Sequence, residues 1–196
     1  MTNELQLFSG DVILAGKVAE IMLHEGCKDF IETGTLDGGT TLGVHRLFPD
    51  VTVWTVEAHE ERFNNNRRDR FAGTGIKDFF GDSPTVLREQ IIPNLKDRHP
   101  LFYLDAHSPV SFPILGELDA IAACAHLKPI IVIHDFYNPW RADMDCERDP
   151  DGKLLDWDYV CDHLVPIYPD GPPVAFCNQY AMAHQIGVVF IGTKRI

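Results

Sequence analysis

Lys28-Asp29-Phe30-Ile31-Glu32 runs directly into Thr33-Gly34-Thr35-Leu36-Asp37-Gly38-Gly39-Thr40-Thr41. The first five residues read as a strand, and a helical pattern follows over Thr40 to Leu47. Between them lies a glycine-rich turn, where the lack of a side chain lets backbone approach a ligand and adopt positive φ. It is neither the G-x-G-x-x-G dinucleotide fingerprint nor a P-loop, because no Gly-Lys-Ser/Thr follows. An acid at its opening repels phosphate and suits a ligand bearing an amine.

Outward from this turn, short β-branched runs alternate with helical patterns, the signature of βαβ units and a parallel sheet. A helix over Asp11 to His24 precedes the first strand, with Gly26 placed to end it. Strands follow at Val51 to Glu57, Lys77 to Phe80, Leu101 to Asp105 and Pro129 to Asp135. Helices are expected from Glu60 to about Arg70, from a Ser83 cap with Pro84 at the first position, from Pro113 to about Ala125, and near Asp156 to Leu164. Val174 to Gln179 and Ile186 to Thr193 read as an antiparallel pair at the sheet edge. The expected fold is a Rossmann-like, doubly wound α/β domain over residues 1–196. Its sheet has seven strands, mostly parallel, with helices on both faces. Residues 137–152 are expected to form a lid or rim.

Composition bounds the function. At 196 residues with 45% hydrophobic and 23% charged residues, the chain suits one globular domain. No apolar run approaches the ~18 residues that span a bilayer, and the opening MTNELQLFSGD lacks the regions of a signal peptide. A cytoplasmic protein without membrane contact is therefore expected. A net charge of -12, from 17 basic and 29 acidic residues, opposes binding to phosphate backbones, so no nucleic-acid partner is expected. The five cysteines (27, 124, 146, 161 and 177) show no zinc spacing and read as reduced, mostly packed thiols.

Ligands of open α/β sheets bind at the carboxyl ends of the strands. Glu32, Glu57, Asp82, Asp105 and Asp135 all fall there, although acids are poor strand formers. Glu57, 25 positions after Glu32, can accept both hydroxyls of a ribose. Gly81-Asp82-Ser83 ends the third strand within reach of an adenine amine. Together they describe a site for an adenosine with an amino-acid tail and no phosphates.

The order E-x-G-x-x-x-G, an acid ending strand two, G-D-S, L-D-A-H and I-H-D resembles class I S-adenosylmethionine methyltransferases over roughly residues 31–136. The loop looks most like the small-molecule O-methyltransferase branch, which includes catechol-type and antibiotic-tailoring relatives. Leu36 stands where a middle glycine is often found. The resemblance implies S-adenosylmethionine as cofactor, with Glu32 and Gly34 near its methionine moiety, Glu57 on the ribose, and Asp82 with Ser83 near adenine. Thr35, Gly38 and Asp105 complete the expected cofactor set. It also implies either a divalent cation, Mg²⁺ by its oxygen ligands, on Asp105 and Asp135, or the same two acids orienting the substrate without a metal. Phe136 occupies the position of the expected third ligand, so Asn138 or His134 is the substitute. Asp105, His107 and His134 are the candidate catalytic groups, the histidines as bases. A small-molecule acceptor is the expected partner, with a homodimer left open.

Rival readings are a silent adenosine-ligand binder on the same fold and a nicotinamide-dependent oxidoreductase, which the loop pattern disfavours. Glu147-Arg148-Asp149-Pro150-Asp151-Gly152, with Asp158 twelfth, parallels an EF-hand loop. Asp-Pro-Asp-Gly is equally a strong turn. The stretch then serves as a rim over an acceptor pocket lined by Tyr137, Trp140 and Trp157.

Overall fold

Leu101-Phe102-Tyr103-Leu104 and Ile130-Ile131-Val132-Ile133 are apolar at every position and buried at every position, as strands covered on both faces must be. The computed structural model describes residues 7–107, 111–141, 143–176 and 186–194. Seven strands form one sheet: β1 (Asp29–Thr33), β2 (Thr52–Glu57), β3 (Lys77–Phe80), β4 (Leu101–Leu104), β5 (Ile130–Ile133), β6 (Val174–Phe176) and β7 (Val189–Ile191). Their order is β3-β2-β1-β4-β5-β7-β6. The first five pair in parallel, while β7 is antiparallel to both β5 and β6.

Alternate residues of each strand face opposite layers. Phe30, Tyr103 and Val132 pack against α1 (Val12–Glu25), α2 (Gly39–Leu47) and an N-terminal turn at Leu7–Gly10. Ile31, Phe102, Leu104 and Ile133 pack on the other face against α4 (Ser83–Val86), α5 (Ile114–Ile121) and α6 (Trp157–Leu164). α3 (Glu60–Asp69) links β2 to β3 and is mostly exposed. The expected class and topology are those observed.

Caps explain the helix boundaries. Asp11 accepts from the Ile13 and Leu14 amides at 3.0 and 2.9 Å, and Gly26 at φ 68° ends α1. At α4 the cap is Asp82 and not Ser83: the Asp82 carboxylate takes the Thr85 amide and hydroxyl, and Ser83 begins the helix. Short turns prolong α4 to Asn94 and α5 to Leu127. No described helix is long and apolar enough to cross a membrane. Cys27 and Cys124 are packed inside, burial pushing each thiol up to about 12. Cys177, residues 177–179 of the expected sixth strand, and Ala142 of the expected lid lie outside the described residues.

The segment after β5, expected as a lid or rim, is ordered by backbone pairing. Residues 147–155 fold back on themselves, with Arg148 bridged to Leu154 and the Leu155 amide donating to Glu147. Asp149 spends its Oδ1 on the amides of Asp151 and Lys153, closing a turn where the calcium reading needs an outward ligand. The hairpin is fastened to the end of β5: the Glu147 amide donates to Asp135, and the Tyr137 amide to Leu155. Leu155 is fully buried. Truncating it in the Leu155→Ala variant should cost about 2–4 kcal/mol in urea unfolding. A loss below about 0.5 kcal/mol, the range of ordinary surface changes, would mean that the hairpin rides loosely on the sheet.

Candidate functional site

The turn after β1 crosses the end of β2, its Gly34 and Thr35 amides both donating to the Val56 carbonyl. A Cβ at Gly34 would run into the backbone carbonyl of Asp105, so this position admits only glycine. Leu36, at φ 51°, is held in a left-handed conformation from both sides. Its amide donates to Glu57 Oε2 at 2.9 Å, and its carbonyl accepts from Asn66 Nδ2 at 2.8 Å. Gly38, at φ 75°, packs against Phe71 with no room for a side chain and opens α2. Asn66 and Phe71 are supports that no local motif announces.

Glu57 ends β2 with its other oxygen accepting from the His59 amide at 2.8 Å. Each oxygen thus holds one backbone N–H and keeps a lone pair for a hydroxyl. A cleft between Glu57, Gly81, Asp82 and Ser83 adjoins a second one between Glu32, Thr35, Thr40 and Asp105. Gly34 lines both, and Ser9 of the N-terminal turn edges the second.

Glu32 lies beneath this second cleft, 2% exposed. Hydroxyls of Thr41 and Thr55 donate to it, and Thr35 pairs with Thr55 at 2.6 Å. Burial outweighs these donors and pushes its carboxyl up to about 8. A cationic amine arriving there would favour the ionised form. On the opposite face Ser83 donates its hydroxyl to Glu117, so of the expected adenine pair both members have protein partners: Asp82 as helix cap, Ser83 on α5.

At the ends of β4 and β5, Asp105 and Asp135 flank one imidazole. His134 Nδ1 lies 3.4 Å from Asp105 Oδ1 and 3.1 Å from Asp135 Oδ2. Burial works to lower the His134 pKa, but the two carboxylates outweigh it and hold the ring cationic, at about 10. Asp135 is held well below the usual range: burial opposes this, and His107 and His134 overcome it. Its backbone is left-handed, φ 56°. His107 Nε2 meets Asp135 Oδ2 at 3.2 Å, and its side chain is only 1% exposed. The ring is therefore sequestered behind Asp135, packed on Phe112 with Tyr159 beyond, and not presented to a cleft as a base should be. Asp105, at 32%, is the most open of the four side chains.

Asp105, His134 and Asp135 each present a donor atom within 4.8 Å of the others, a spacing that fits a divalent cation. Asn138 is engaged otherwise: it is buried, and its Oδ1 accepts from the Trp140 amide at 3.0 Å. Trp140 packs edge-on against Phe176 and is 70% exposed.

The parallel strands in the order 3-2-1-4-5, closed by an antiparallel β7 inserted beside β5, decide the architecture. The fold is that of the class I methyltransferases. Solved structures agree. A protein from Klebsiella pneumoniae named as a candidate O-methyltransferase superposes with a TM-score of 0.64 at 13% identity, covering 98% of this chain and 83% of that one. An O-methyltransferase from Bacillus cereus in complex with SAH gives 0.56 at 13%, covering 98% and 84%. Cofactor-bound Rv0187 from MTB gives 0.56 at 15%, covering 100% and 84%. No family model and no curated protein matches the sequence.

The Glu32 environment has a stability signature. Its native carboxyl is raised from 4.5 to about 8, so the stability it contributes is full below pH 4.5 and is lost as pH rises from there through 8. Glu32→Gln keeps an oxygen for the two threonines and has no proton to lose. The variant should match wild type in thermal unfolding near pH 4. Near pH 9 it should exceed wild type by a few kcal/mol, since each tenfold difference in acidity between folded and unfolded chains is worth about 1.4 kcal/mol. Parallel profiles across that range would place Glu32 in the ordinary carboxylate range.

Proposed function

We propose that this chain transfers the methyl group of S-adenosylmethionine to a hydroxyl of a small molecule. The observation that carries the reading is the pair of clefts joined at Gly34, with Glu57 beside one and Glu32 beneath the other. Glu57 retains the acceptor capacity a ribose diol needs, and Glu32 offers a carboxyl that becomes anionic when a cation arrives. The O-methyltransferase of Bacillus cereus on the same fold was solved with SAH.

In the reaction the acceptor oxygen attacks the methyl carbon in line with the sulfonium. The carbon–sulfur bond breaks, its electron pair returns to sulfur, and the hydroxyl proton passes to a base. Positioning supplies much of the acceleration, up to ~7–11 kcal/mol. Asp105 is the base best placed, since it lines the methionine-side cleft and is the least buried of its cluster. The His134 imidazolium beside it supplies positive charge for the developing oxyanion. A divalent cation, Mg²⁺ among the candidates, would be held by Asp105, Asp135 and a deprotonated His134, and would lower the acceptor's pKa when bound. An imidazole donor also suits Mn²⁺ or Zn²⁺.

Glu57→Ala should weaken SAH binding by about 1–3 kcal/mol in calorimetry, because two ribose hydroxyls lose their acceptor. Unchanged affinity would remove Glu57 from the site. With labelled S-adenosylmethionine and a panel of hydroxylated acceptors, label should reach at least one acceptor. Tight SAH binding without transfer to any would favour a silent binder. Asp105→Asn and Asp135→Asn should each abolish most transfer, and the double variant should be little worse, as for groups acting together. A chelator should suppress turnover with Mg²⁺ or Mn²⁺ restoring it, and SAH affinity should hold. Full turnover in chelator would leave the acceptor to His134 and its two carboxylates.

A further inference from the structure

Glu117 has no part in the chemistry above, yet it is a fully buried carboxyl on α5, on the helix face that also carries Ile114, Leu118 and Ile121. A leucine would fill the place without the cost of desolvating an acid. One of its oxygens accepts from the Ser83 hydroxyl, and the other is buried without a hydrogen-bond partner. Thr33 Oγ1 and His107 Nδ1 are buried polar atoms in the same condition. Both residues act on the Glu117 charge, the Thr33 hydroxyl approaching it closely and the His107 ring through its field. Thr33 follows Ile31 on the α4–α5 face of β1, the layer that also contains Phe112 against His107. Unpaired buried groups in one layer are a local demand for partners.

His107 gives that demand a direction. Its Nε2 faces the ionised Asp135 and must carry a proton to donate there. What the opposite nitrogen meets decides whether the ring keeps that tautomer and orientation. We propose that Glu117 is a positioning residue: one buried water donates both to its free oxygen and to His107 Nδ1, and so aims His107 Nε2–H at Asp135. The relay Ser83–Glu117–His107–Asp135 then runs from the nucleoside-side cleft to the rim where the acceptor would sit. Its use in catalysis rests on the methyl-transfer reading, whereas the contact itself does not.

The test uses the full chain labelled with ¹⁵N-histidine, with long-range ¹H–¹⁵N spectra and His107 assigned by the peak lost in His107→Gln. In wild type, Nε2 should be protonated and Nδ1 should resonate as a hydrogen-bonded nitrogen. Glu117→Leu should shift Nδ1 to the free, pyridine-type position. Glu117→Gln, which preserves volume and the Ser83 contact, should displace the Nδ1 signal even if the leucine variant does not fold. Ser83→Ala should leave it in place. A His107 spectrum unchanged in Glu117→Gln would overturn the proposal. A negative methyl-transfer assay would not alter these spectra, so the two readings fail separately.

Discussion

The close approach of Gly34 to the Asp105 carbonyl is the constraint on which this molecule's site depends. β1 lies between β2 and β4, and the chain leaving β1 must cross toward α2 over the ends of both neighbours. A side chain at that crossing would push the turn away from β4. The cleft shared by Glu57 on one side and Asp105 on the other would then divide. The same crossing lets the Gly34 and Thr35 amides share the Val56 carbonyl, which fixes the turn against β2. Parallel pairing in register carries that precision across the sheet, because β1, β2, β4 and β5 all end at the same edge.

Along that edge, acids of one residue class take up different work because their surroundings differ. Glu57 is a double acceptor for backbone amides and holds Leu36 in a left-handed conformation. Asp82 is spent on a helix start. Glu32 sinks among threonine hydroxyls and is raised toward neutrality, while Asp135 is held ionised by two imidazoles. Burial alone would raise both. Neighbouring positive charge reverses the sign for Asp135 and is missing around Glu32 among the described residues. The result is a neutral acid beneath one cleft and a charged cluster at the ends of β4 and β5.

The hairpin after β5 is built from residues that composition reads as loop. Polar side chains dominate residues 143–153, but Leu155 and Met144 are buried and backbone hydrogen bonds tie the hairpin to the end of β5. Hydropathy averages over such a stretch and misses two well-placed anchors. Asp149 shows the converse: its carboxylate satisfies its own turn, so acid-rich spacing there does not make a cation loop.

Much of the fold was legible in order. Apolar runs of roughly four to six residues separated by capped helices prescribe βαβ units, and handedness rules leave few ways to arrange them. The span of β3, the Gly26 cap and the glycine turn were all local signals, whereas Asp11, read as the first residue of α1, turned out to be its cap. So was the location of the acids, since parallel strands must bring their carboxyl ends to one edge. Glu117 was half legible: its helical phase with Ile114, Leu118 and Ile121 points it inward, but nothing local says what it meets. Only the tertiary structure decided that His107 is buried behind Asp135 instead of facing a cleft, that His134 stands between two carboxylates, and that Ser83 turns to α5 while Asp82 caps the helix. Sequence determines which groups reach the edge, because strand polarity is a backbone property. Which of them face a cleft, and in which charge state, depends on the distances between side chains far apart in the chain, and those distances exist only once the layers have packed.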